Sequence, residues 1–202
     1  YFAFINAGYD VVIVSPAGGE IAIDPASKDS DALTADAERF MNDKTLKGLL
    51  KNTKSVTDVH PNDFDAVFFA GGHGTVWDFA DDGPVTRLVE QFAWQKKAIG
   101  AVCHGVVALV HAKNSDGSSL VDGLHLTSFT DAEEKAVGLD DVVPFLLESR
   151  LRSLGADYDH AAPFEPFVVT NKHIITGQNP ASSEATAHAL IAHLEDKQEQ
   201  AA

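Results

Sequence analysis

The sequence predicts an α/β fold, a mostly parallel sheet with helices on both faces. Three observations carry that expectation. Continuous apolar runs of strand length occur at Asp10–Ser15, Asp65–Ala70 and Ala98–Val102. Segments with apolar positions at helical spacing alternate with them. Glycine-rich turns, Pro16–Gly19 and Gly71–Gly74, follow the first two runs, where sheets of this kind gather their sites.

Element by element, Tyr1–Ala7 reads as the tail of a helix ended by Gly8, and Asp10–Ser15 as the first strand. Asp24-Pro25 with Ser27, Asp29, Ser30 and Asp31 reads as a polar loop, and residues 34–53 as helical. After the strand at Asp65–Ala70, helix is expected from near Val76 and again over Val85–Gln95. Ala98–Val102 is a strand that runs directly into a helix carrying Val106, Val107, Leu109 and Val110. His125–Phe129 reads as another strand. Val143, Leu146, Leu147, Leu151 and Leu154 then recur at helical spacing until Gly155. Phe167–Thr170 and His173–Thr176 suggest a hairpin turning at Asn171-Lys172, and Ser183–Glu195 a closing helix that frays over Asp196–Ala202.

With 202 residues and 45% hydrophobic content, the chain buries one substantial core. A single domain over 1–202 is expected, with a small helical insertion at about 30–60. Fifteen Lys and Arg against thirty Asp and Glu leave a net charge of −15, which disfavours nucleic acid and anionic membrane surfaces as partners. No apolar run reaches the roughly 18 residues of a membrane span, and the first residues lack the pattern of a signal peptide. The lone cysteine forms no internal disulfide, so a reducing compartment, the cytoplasm, is expected.

That cysteine, Cys103, sits in Ala101-Val102-Cys103-His104-Gly105, where small residues two before and two after permit a sharp strand-to-helix turn. A thiol at a helix start meets free N–H groups and the positive dipole end, which favour thiolate. Most lone cysteines are small buried hydrophobes. Here the apolar strand, the small flanking residues, His104 and the preceding glycine loop together favour a nucleophile. His104 supplies a group titrating near neutrality, and Gly71-Gly72-His73-Gly74 supplies backbone N–H groups for an oxyanion. His73 is a candidate lining residue of the same site. None of the nine histidines forms a His-x3-His pair, and His188 and His193 read as solvated, so no metal is expected. Dinucleotide and P-loop patterns are missing, so no nucleotide cofactor is expected either.

Phe69–Asp78 and Ala101–Gly105 resemble the ThiJ/PfpI superfamily, which has a flavodoxin-like, class I glutamine amidotransferase-like fold. Phe129–Glu134, Val142–Leu147 and Thr176–Ser182 are similar to its larger subfamily of stress-inducible chaperones and glutathione-independent glyoxalases, glyoxalase III. The resemblance covers almost the whole chain. It implies a triad of Cys103, His104 and Glu134, with Glu133 in reserve, and an oxyanion hole from the N–H groups of Gly72 and His104. It also implies that no cofactor is needed, that a small 2-oxoaldehyde is the substrate and that the protein is a homodimer. The family opens with a central strand and a helix bearing a glutamate that bonds the cysteine sulfur. This sequence starts after both, so a processed or truncated chain is expected. Glu20, beside Gly18-Gly19, follows the wrong strand to replace that glutamate and is kept as a candidate lining residue.

The leading functional expectation is conversion of methylglyoxal to D-lactate through a hemithioacetal on Cys103. A holdase chaperone or redox protein using the same thiol is the alternative, and a cysteine peptidase or amidase ranks third. Glutamine amidotransferases place histidine and glutamate near the C-terminus, where this chain has Asn179–Ser182, so glutaminase activity is not expected.

Overall fold

A computed structural model describes residues 1–28, 33–81 and 83–201. They fall into two compact units, Tyr1–His60 and Pro61–Ala202.

In the first unit, α1 (Phe2–Asn6) ends before Gly8, whose φ of +86° suits glycine. The expected strand at Asp10–Ser15 shortens to β1 (Val14–Ser15). The helical stretch at 34–53 divides into α2 (Ala35–Asn42) and α3 (Lys44–Lys51). Asp43 makes the break, because its carboxylate accepts from the N–H groups of Thr45 and Leu46 at 2.7 and 3.0 Å and restarts the helix as a cap. β2 (Lys54–Ser55) pairs in parallel with β1, Val14 opposite Lys54. It stops at once because the Ser55 hydroxyl caps a 3₁₀ turn over Val56–Asp58, which accounts for the brevity of β1. Asp29, Ser30 and Asp31 of the expected polar loop lie outside the described residues.

The second unit holds the main sheet. β3 (Ala66–Phe69) leads through the glycine loop into α4 (Thr75–Asp78) and α5 (Pro84–Trp94), and β4 (Ala98–Val102) follows. Then come β5 (His125–Leu126), α6 (Asp131–Val137), α7 (Leu147–Ser153), β6 (Asp157–Tyr158), the hairpin β7 (Val168–Asn171) and β8 (Ile174–Gly177), and α8 (Ser183–Ala201). The sheet order is β3-β4-β8-β7, parallel except for β7. β4 is buried along its whole length between two parallel neighbours, with α5 and α8 packed against it, which is why Ala98–Val102 is an unbroken apolar run. β5 and β6 form a separate parallel pair.

Several expectations change. The segment after β4 is a 3₁₀ helix, Cys103–Leu109, and not an α-helix. Gly105 and the adjacent β-branched Val106 and Val107 weaken α preference there. The strand at His125–Phe129 ends at Leu126, since the N–H groups of Thr127 and Ser128 go to the hydroxyls of Thr176 and Tyr158. Helix begins at Leu147 rather than Val143, because Pro144 disfavours helical geometry in the residue before it. The hairpin turns at Lys172-His173, with Lys172 at φ +55°, one residue later than expected. Asp196–Ala201 stay helical, as their Glu, Lys, Gln and Ala content favours. Neither α6 nor β6 was anticipated. Among the described residues no helix is long and apolar enough to cross a membrane.

Candidate active site

The site lies in the second unit, where the carboxyl ends of β3 and β4 meet the loop that opens α6. Cys103 occupies the turn out of β4 with φ at +58°, a left-handed conformation in a non-glycine residue. Two glycines permit the turn. A Cβ on Gly105 would lie 2.5 Å from the Phe69 carbonyl oxygen, and one on Gly71 would lie 2.8 Å from the Cys103 Cβ. The backbone N–H groups of His104 and Gly72 favour the anion of the Cys103 sulfur.

His104 follows, 1% exposed, with Nδ1 at 3.4 Å from the sulfur and Nε2 at 2.6 Å from Oε2 of Glu134. A carboxylate only accepts, so Nε2 carries the hydrogen of the neutral ring and Nδ1 presents a lone pair to the thiol. Burial lowers the His104 pKa against the opposing effect of its hydrogen bond to Glu134, which keeps the ring neutral at rest. Burial likewise pushes the Cys103 thiol up to about 12, although two N–H groups favour its anion; the nearby Glu133 and Glu134 add to the rise. The sequence-level expectation of a resting thiolate is therefore corrected. Desolvation in a fully walled turn outweighs the local N–H groups, and the sulfur is a thiol with a base waiting beside it.

Glu133 and Glu134 are neighbours with different tasks. The Thr130 hydroxyl accepts from the Glu133 N–H at 3.1 Å, and the Glu133 carboxylate accepts from the Thr130 N–H at 2.9 Å, a capping box at the start of α6. Glu133, 0% exposed, accepts four further bonds: from the Thr130 hydroxyl at 2.9 Å, the Phe164 N–H at 2.7 Å, Asn179 Nδ2 at 2.8 Å and Gln178 Nε2 at 3.0 Å. Burial opposes its charge, yet these donors hold its carboxyl below the usual glutamate range. One residue on, roughly 100° further around the helix, Glu134 faces His104.

His73, on the glycine loop, gives Glu134 a second partner, with Nε2 at 2.7 Å from Oε1. Its ring stacks near that of His104 at 4.1 Å, and Phe129 lies 4.5 Å from His104 on centroids. Phe164 extends this aromatic wall, 6.4 Å from Phe129 and 47% exposed. Sequence reasoning missed Phe129 and Phe164 as wall residues. It also missed the Thr130-x-x-Glu133 pattern, the local signal that separates the two glutamates.

Of the residues singled out from sequence, Cys103, His104, Glu134, Gly72, His73 and Glu133 come together in this unit. Glu20 belongs to the first unit, where it borders an open depression with Ile21, Ala22, Ile23 and Lys28. The expectation that His193 is solvated is corrected in part: the residue is half-buried and its Nε2 is enclosed with no hydrogen-bond partner among the described residues, whereas His188 lies beside Glu184 at the surface. Among the described residues, one set of three has metal-ligating geometry: His73, His104 and Glu134, with donor atoms within 4.8 Å of one another.

The second unit is thus an α/β fold that sets a buried thiol on a strand-to-3₁₀ elbow, with a histidine beside it and a buried carboxylate behind. The chain belongs to the DJ-1/PfpI family, whose pattern it matches over residues 1–193. It is 30% identical to glyoxalase 3 of Candida albicans, over 95% of this chain and 84% of that protein. The glutathione-independent glyoxalase HSP31 of Saccharomyces cerevisiae is 28% identical, over 91% and 81% respectively. Among solved structures, the Rapid Encystment Protein of 24 kDa from Francisella tularensis superposes with a TM-score of 0.91. That protein is 40% identical, covering 96% of this chain and 85% of its own. Glyoxalase III of Candida albicans superposes at 0.87, with 28% identity, covering 95% and 83%.

Proposed function

We propose that this protein is a glutathione-independent glyoxalase that converts methylglyoxal to D-lactate, and glyoxal to glycolate, on Cys103. The observation that carries the reading is the relay Cys103 Sγ, His104 Nδ1, His104 Nε2, Glu134 Oε2. Two relatives named as glyoxalases, similar over nine-tenths of the chain, support it.

The chemistry follows from the geometry. His104 Nδ1 takes the thiol proton as sulfur attacks the aldehyde carbon, so that a carbon–sulfur bond forms and the oxygen becomes an alkoxide. The Gly72 and His104 N–H groups stabilise that charge, and Glu134 stabilises the imidazolium. Protonation gives a hemithioacetal. His104 then moves the proton from this carbon to the neighbouring carbonyl carbon through an enediol, leaving a thioester of the 2-hydroxy acid. Water cleaves the thioester and returns the thiol. One carbon is oxidised and its neighbour reduced, so the reaction balances without an external oxidant. A small 2-oxoaldehyde suits a site walled by Phe129, Phe164 and His73.

The same reading assigns the protein to the cytoplasm, supported by its unpaired buried thiol, and makes it a homodimer as the family resemblance implies. Incubating the chain with methylglyoxal in glutathione-free buffer tests the activity. The expected product is D-lactate, and no D-lactate above the protein-free rate overturns the reading.

A further inference from the structure

We infer that His73, His104 and Glu134 form a binding site for one borderline divalent transition-metal ion of the zinc class, and that its occupancy switches off the Cys103 thiol. The site itself stands on geometry; the effect on turnover rests on the function proposed above.

Two imidazole nitrogens and one carboxylate converge, their donor atoms within 4.8 Å of one another. Two nitrogens and one oxygen are a set used by three-ligand zinc sites that keep a fourth position open, and the imidazoles select against magnesium and calcium. Two Glu134 contacts, 2.7 Å to His73 and 2.6 Å to His104, are shorter than the about 3.3 Å between ligands of a tetrahedral ion with bonds near 2 Å. With Oε1 as the carboxylate ligand, the contact that must open is the one to His73, by roughly 0.6 Å. His73 can supply that opening, because it stands on the glycine loop and its side chain is 29% exposed. The same exposure gives the ion a way in. Buried Glu133 and Glu134 add negative charge around the position, in a chain whose net charge is −15.

The consequence for the thiol follows from the tautomer. At present His104 gives its Nε2 hydrogen to Glu134 and offers a lone pair at Nδ1 to the sulfur, 3.4 Å away. An ion on Nε2 needs a lone pair at Nε2 itself, so the ring proton moves from there to Nδ1 and the ring stays neutral. Nδ1 then faces the sulfur as a donor and cannot take the thiol proton. The thiol then has no acceptor for its proton at the one ring nitrogen that faces it. No carbon or sulfur bond changes, and removal of the ion reverses the effect.

The experiment uses the full chain carrying Cys103→Ser, which removes sulfur as a competing ligand. Cobalt(II) and zinc(II) are titrated by calorimetry, cobalt also by its visible absorption. The expected result is one ion per chain, an unfolding temperature raised by the metal, and affinity at least about tenfold weaker when His73→Asn is added. Circular dichroism establishes that both variants are folded. In the unmutated chain, metal slows Cys103 alkylation by iodoacetamide and a chelator restores the rate. No binding to the folded Cys103→Ser chain, or binding that His73→Asn leaves unchanged, overturns the inference. Because the titration uses no substrate, it fails or succeeds independently of D-lactate formation.

Discussion

His104 and Glu134 are joined by a 2.6 Å hydrogen bond from Nε2 to Oε2, and that bond determines which nitrogen faces Cys103. The donor to a carboxylate must carry the proton, so the other nitrogen presents its lone pair to the sulfur. Glu134→Gln keeps the size of the side chain and removes the charge that stabilises the imidazolium. Turnover of methylglyoxal is expected to fall by about a hundred- to ten-thousandfold while the melting temperature changes little. Steady-state D-lactate assays alongside circular dichroism check this.

Glu133→Gln is expected to give the opposite pattern. An amide nitrogen would replace one oxygen in a shell of five donor contacts from Thr130, Phe164, Gln178 and Asn179. Two donors would then face each other in a buried space, at a cost of about 2–3 kcal/mol by analogy with other buried hydrogen bonds to charge. Phe164, held at φ +66° with its N–H on Glu133, would loosen. Chemical denaturation measures the loss.

Acid reveals the same group. The folded-state pKa of Glu133 is depressed, so its stabilising effect is complete above the unfolded value of about 4.3 and disappears as pH falls through the folded value. The stability difference between the native chain and Glu133→Gln is expected to shrink below about pH 4. Denaturation midpoints at neutral and acid pH report it.

The thiol itself is testable without substrate. With its pKa pushed up to about 12 by burial, Cys103 stays protonated across neutrality. Iodoacetamide alkylation is expected to accelerate continuously through the alkaline range. A plateau beginning below about pH 8.5, the value for an unperturbed thiol, would contradict this environment.

Gly105 is the tightest point of the elbow. Gly105→Ala would set a methyl carbon 2.5 Å from the Phe69 carbonyl oxygen, and the carbonyl belongs to the sheet and cannot retreat. The expected loss is about 1–3 kcal/mol, with Cys103 displaced and turnover reduced. Thermal unfolding and lactate assays read the two effects.

The core of the second unit was legible in the sequence because β4 is buried on every side. Nothing polar interrupts Ala98–Val102, and the expected and observed strands coincide. Edges were less legible. β5 and β6 owe their limits to partners distant in sequence, and local pattern carries no record of them. Cys103 and His104 were found because elbow geometry demands small neighbours at fixed offsets. Glu134 came only through resemblance, since 30 residues separate it from His104. Its distinction from Glu133 was nevertheless written locally in the capping box. The thiol's protonation was misread because a turn's N–H groups are visible in sequence and its desolvation is not.

The most direct test compares the native chain with Cys103→Ser in glutathione-free D-lactate assays, both shown folded by circular dichroism. The account predicts D-lactate from the native chain and only the uncatalysed rate from the variant. Equal rates from the two would show that the sulfur is not the nucleophile and would contradict the account at its centre.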